Sequence, residues 1–145
     1  MKSTYNYRVI KSSWGIAIDI TAEVLPLADS RYAAIEVRNG LWLSIDMGVE
    51  LTQQEHQMLT IGLRLLNGDL DRIVQRDGPL VIRVYDVSFN PVDYQEEGLA
   101  YALAGWAAQQ FTIPLTLQPV HFLKQENRYI FELDPHPVES NARPA

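Results

Sequence analysis

Cysteine is absent from the 145 residues, which removes disulfides, thiol nucleophiles and iron–sulfur ligation from the chemistry open to this chain. Histidine is scarce. His56, His121 and His136 lie far apart, and metal sites usually advertise a short ligand spacing, so no metal is expected. Positive charge is also thin: 12 Lys and Arg stand against 18 Asp and Glu, a net charge of −6. The basic residues are scattered, with Arg72 and Arg76 the nearest thing to a cluster. Nucleic-acid binding needs clustered cations, so it is not expected here. No apolar run approaches the roughly 18 residues of a membrane span. The segment Met1–Tyr7 lacks the apolar core of a secretory signal. These absences lead us to expect a cytoplasmic protein without a membrane segment. Glycine-rich phosphate loops, H-E-x-x-H and G-x-S-x-G are missing too, so neither a cofactor nor an enzyme is expected.

What is present reads as layered structure. Leu80-Val81-Ile82-Arg83-Val84-Tyr85 has the composition of a buried strand. Asn90-Pro91 follows, and a helix is predicted from Asp93 through Leu99, Leu103, Trp106 and Phe111. Asp93 with Glu96 has the spacing of a cap and its reciprocal carboxylate. Gly98, Tyr101, Gly105 and Ala108 make a flat flank that would admit another backbone.

Upstream, Trp14 to Val24 alternates. Trp14, Ile16, Ile18, Ile20, Ala22 and Val24 share the buried side, which makes Trp14 a core residue, and Pro26 ends the strand. Arg31–Arg38 and Leu41–Ile45 alternate around Asn39-Gly40, the strongest short hairpin signal. Three strands in a meander are therefore predicted before any helix. Thr52-Gln53-Gln54-Glu55 is a capping box that opens the first helix, and Asn67-Gly68 reads as its stop. Asp71–Arg76 reads as a short helical turn. Val120–Lys124 and Arg128–Leu133 read as strands. Residues 1–134 are expected to form a single domain, and the polar, proline-rich 135–145 a flexible tail. The fold class is α+β: a two-layer α/β sandwich with a mixed sheet of about four to six strands and two helices on one face.

The stretch Ile61 to Phe111 resembles domain IV of bacterial elongation factor G, of the ribosomal protein S5 domain 2-like fold. The residues that carry the resemblance are Ile61-Gly62-Leu63-Arg64-Leu65-Leu66-Asn67-Gly68, Gly78-Pro79-Leu80-Val81-Ile82-Arg83-Val84, Val92-Asp93 with Glu96, and Leu99 to Ala108. They are turn, strand and cap residues, so the resemblance implies a fold and not a catalytic site. It also implies a translation- or ribosome-associated module as an alternative function.

Among candidate site residues, Trp42 has the parity of Ser44 and Asp46, the less buried side of its strand, and Tyr32 and Glu36 are expected to share that face. Exposed aromatic anchors often dominate interfaces. Asp93, Glu96 and Glu97 form the densest acidic patch, a second candidate surface for a basic partner. The leading expectation is a non-enzymatic protein-binding module, in concrete form a cytoplasmic inhibitor or immunity protein that neutralises a toxin. A small enzyme with an unrecognised carboxylate site is a further alternative. It would need two carboxylates in contrasting environments in a deep pocket.

Overall fold

A computed structural model describes residues 1–115 and 117–133. Its strands are β1 (Ser3–Ile10), β2 (Gly15–Pro26), β3 (Ile35–Arg38), β4 (Leu41–Ile45), β5 (Leu80–Phe89), β6 (His121–Leu123) and β7 (Arg128–Ile130). Its α-helices are α1 (Gln53–Arg64), α2 (Asn67–Asp77) and α3 (Gly98–Phe111). The main sheet has the order β1-β2-β5-β4-β3; β4 and β5 run parallel and the other neighbours antiparallel. β6 and β7 form a separate hairpin. The class expected from the sequence is the class observed, with three helices in place of two.

The alternation in β2 decides which side of the sheet is covered. Ile16, Ile18, Ile20 and Ala22 are fully buried, whereas Ala17, Asp19, Thr21 and Glu23 on the other side are only half-buried. Each buried isoleucine contributes roughly 2 kcal/mol. α3 lies on this apolar side. It is buried on all sides from Gly98 to Ala108, because the sheet, α1 and the segment after the helix surround it. α1 and α3 meet at Gly62, where an added Cβ would run into the backbone of Ala100. Gly105 is small for another reason: the ring of Tyr5 from β1 packs against it. The close backbone approach expected on the flank of α3 therefore falls on α1, and a side chain fills the flank.

Several local signals read from the sequence are in place. Asn39 and Gly40 both take positive φ, 26° and 90°. Pro26 is the last residue of β2. Thr52 and Glu55 form the reciprocal cap, with bonds of 3.0 and 2.9 Å.

Other readings are corrected. The chain begins with an edge strand, β1, and β2 pairs with β1 and β5, not with β3, so there is no meander. Asn67-Gly68 does not stop a helix. The chain bends after Arg64, and α2 begins at Asn67 because Leu66, Leu70 and Ile73 supply a second buried stripe. α2 is a full helix in place of the short turn, and its stop is Gly78, at φ 89° with its N–H on Val74 O. Asp93 does not cap α3. It ends a short 3-10 turn, Pro91–Asp93, held by the Asn90 side chain on the Val92 N–H. Tertiary contacts hold the next residues off the helix. Tyr94 is extended, stacks on Phe89 at 3.7 Å and donates to Glu55. Gln95 binds both the N–H and the C=O of Tyr129. Trp14 precedes β2 and is half-buried under the β6–β7 hairpin, its ring against Tyr129 and its indole N–H on Asn127. The Tyr129 hydroxyl accepts from the Lys11 N–H and donates to Trp14 O, which pins the hairpin over the β1–β2 turn. The expected strand to Leu133 ends at Ile130. The expected flexible tail 135–145, with His136, lies outside the described residues.

Candidate functional site

The connection from β2 to β3 creates the most unusual environment in the molecule. These two strands run parallel and are separated by β5 and β4, so residues 27–34 must cross the sheet instead of turning back. The crossing begins where the Leu27 N–H donates to Pro79 O at 3.0 Å. It roofs part of the sheet face opposite the helices. Val81, which points to that face, is consequently fully buried.

Under the roof sits Arg83, in the middle of the sheet. Its side chain is 5% exposed. One terminal nitrogen donates to Ser44 Oγ at 2.7 Å and the other to Asp46 Oδ1 at 2.8 Å. The Tyr32 ring lies on the guanidinium at 3.5 Å, and the Tyr85 ring stands 5.2 Å from it. Nε has no partner among the described residues. An Arg is suited to this position because its planar fork serves two acceptors while its face stacks on an aromatic ring. The network continues outward. Tyr85 donates to Glu23, and that hydrogen bond holds the Glu23 carboxyl below its ordinary range against the opposing effect of burial, with help from the terminal amine of Met1 at 3.2 Å. The Lys2 ammonium lies 3.9 Å over the Tyr85 ring.

The predicted site residues divide into two groups. Tyr32, Trp42 and Glu36 share the face opposite the helices. Tyr32 is 52% exposed above Arg83, Trp42 is half-buried, and Glu36 is its exposed cross-strand neighbour, accepting from the Gly40 N–H at 3.0 Å. Asp93, Glu96 and Glu97 are not with them; they follow the far end of β5, and Glu96 and Glu97 lead into α3 on the helix side. Glu97 forms an ion pair with Arg128. Burial, then the charges of Glu97 and Glu55, raises the Glu96 carboxyl above its ordinary range. Burial also raises Glu55, but hydrogen bonds from Thr52 and Tyr94 outweigh it and the net direction is down. Glu55 and Glu96 thus have contrasting environments, yet neither lines the cavities beside β1, at the β1–β2 turn, at the ends of α2 and α3 or along α1.

Arg83, Ser44, Asp46 and Tyr85 were not singled out from the sequence. The available signal was a lone arginine inside the apolar run Leu80–Val84, with Ser44 and Asp46 at matching parity in the neighbouring strand. Among the described residues no cluster of three or more Asp, Glu and His is placed to hold a metal. No described helix is long and apolar enough to cross a membrane.

Fold and face together define a two-layer α+β protein whose uncovered sheet side is partly roofed by its own crossover. No family model matches the chain, and no curated protein matches it. Among solved structures there is a weak likeness to a protein of Thermus thermophilus. It has 15% identity and a TM-score of 0.44, and covers 71% of this chain. The match spans only 14% of that protein's length. A likeness of this degree carries no argument about function.

Proposed function

We propose that this protein is a non-enzymatic binding module that docks a basic protein partner on the roofed part of its sheet face, as an inhibitor or immunity protein neutralising a toxin would. The observation that carries this reading is the exposed Tyr32 ring fixed on the buried Arg83, with Trp42 and Glu36 beside it on the same face. An exposed aromatic that is already held in place loses little conformational freedom on binding, and such residues supply most of the energy of protein interfaces. The net charge of −6 favours encounter with a cationic partner, and exposed Glu36 puts an acid at the face itself. The acidic segment Asp93, Glu96 and Glu97 is a second, separate surface in this reading.

Affinity capture of the tagged chain from its native lysate, at two salt concentrations, tests the proposal. One stoichiometric basic protein is expected, lost with Tyr32→Ala plus Trp42→Ala and retained with Asp93→Asn, Glu96→Gln and Glu97→Gln. Loss with the acidic set alone would move the interface to the helix side. Binding that survives both sets of changes would refute both surfaces. Ribosomal proteins released at the higher salt would favour the translation-associated module suggested by the resemblance over Ile61 to Phe111.

A further inference from the structure

We propose that β1 is a self-association edge, at which two copies of this chain pair β1 against β1, antiparallel about a two-fold axis at Tyr7. The two five-stranded sheets then become one continuous sheet. The two edges of the sheet differ in a way that points to β1. β3 is short, its register is broken between Glu36 and Arg38, and Arg64 reaches the carbonyl of Val37. Short length, a bulge and a covering cation are the ordinary means of blocking an edge. β1 is neither short nor bulged, and its one covering cation is its own Arg8, which would have to leave the Tyr7 carbonyl for a second copy to pair there. It runs from Ser3 to Ile10 in unbroken register with β2 and contains no proline. Among the described residues no backbone group outside β2 bonds to its main chain; only the side chains of Trp106, at Ser3 O, and Arg8, at Tyr7 O, do so. Apolar surface collects along the same edge. Ile10 is 80% exposed, and a cavity of about 490 Å³ opens beside the strand, where Tyr7, Val9, Leu115 and Leu117 stand with the polar Arg8 and Lys11.

A second copy fits this edge by its charges. An axis at Tyr7 sets Thr4 opposite Ile10, Tyr5 opposite Val9 and Asn6 opposite Arg8, with every pair on a common face. Asn6 already faces Asp19 across β2, and Asp19 pairs with Arg8 of its own chain at 2.9 Å. Each Arg8 would therefore point along a row that ends in the acid of the other copy, and no like charges meet directly.

Sedimentation analysis of the full chain from low to high micromolar concentration tests this. A reversible monomer–dimer equilibrium is expected. Asn6→Arg keeps the fold, because the new cation lies beside Asp19, but it opposes Arg8 of the other copy on both sides of the axis. It should weaken the dimer by roughly tenfold. Adding Arg8→Gln to Asn6→Arg should restore the dimer. A monomer at every concentration, or a dimer indifferent to Asn6→Arg, would overturn the proposal. Failure of Arg8→Gln to restore the dimer would overturn the Tyr7 axis. Tyr32 and Trp42 lie toward the opposite edge, so none of these outcomes bears on partner docking.

Discussion

Removing either member of the Arg83–Asp46 pair should have unequal consequences, and the inequality can be worked from burial. The Arg83 side chain is 5% exposed and that of Asp46 37%. Asp46→Ala leaves a guanidinium in the middle of the sheet with Ser44 as its remaining neutral acceptor and no countercharge beside it. An abandoned buried charge is worth several kcal/mol, so a loss of about 3 kcal/mol is expected. Arg83→Met leaves the carboxylate behind instead. Water reaches that group, and it keeps its bond from the Gly48 N–H at 2.9 Å. The Arg83 bonds and its stacking on Tyr32 are lost, but so is the desolvation of an arginine whose Nε lacks a partner. The net loss should be about 1–1.5 kcal/mol. Urea unfolding of the two variants and the parent, with equal slopes as the control for two-state behaviour, measures both. If Arg83→Met proves the more damaging change, the account of the pair by burial is wrong.

Two further outcomes follow from the packing and the charges. Gly62→Ala should destabilise the fold by about 1–2 kcal/mol in the same assay: overpacking against the rigid Ala100 backbone outweighs the roughly 1 kcal/mol that alanine adds to a helix interior. Glu23 has a folded carboxyl lowered by the Tyr85 hydrogen bond, so its contribution is complete above the ordinary value of about 4.3 and is lost as pH falls through the folded one. Tyr85→Phe should flatten the fall in stability below about pH 4.3; an unchanged acid slope would show that this hydrogen bond does not hold the proton off.

What the sequence made legible was local. The alternation of Ile16, Ile18 and Ile20, the Asn39-Gly40 turn and the Thr52–Glu55 cap each depend on residues a few positions apart, and each appears in the structure as read. Misreadings arose where distant contacts decide. Asp93 and Glu96 carry the spacing of a cap, but the stacking of an extended Tyr94 on Phe89 and the grip of Gln95 on Tyr129 separate Asp93 from the start of the helix. β2 reads equally well as the first strand of a meander, and only the pairing with β1 and β5 excludes that topology. The face carrying Tyr32, Trp42 and Glu36 was half legible. Parity placed Trp42, but nothing local indicates that the chain after Pro26 crosses the sheet and lays Tyr32 on Arg83. Arg83 itself stood in view, as one charge in an apolar strand. A buried ion pair is weak evidence for stability, since apolar residues of similar volume often serve as well. A more natural reason for an arginine there is orientation: its fork holds Ser44 and Asp46 on β4 and just beyond it, while its plane seats the ring on the crossover. On that reasoning the arginine is best understood through the surface that it arranges.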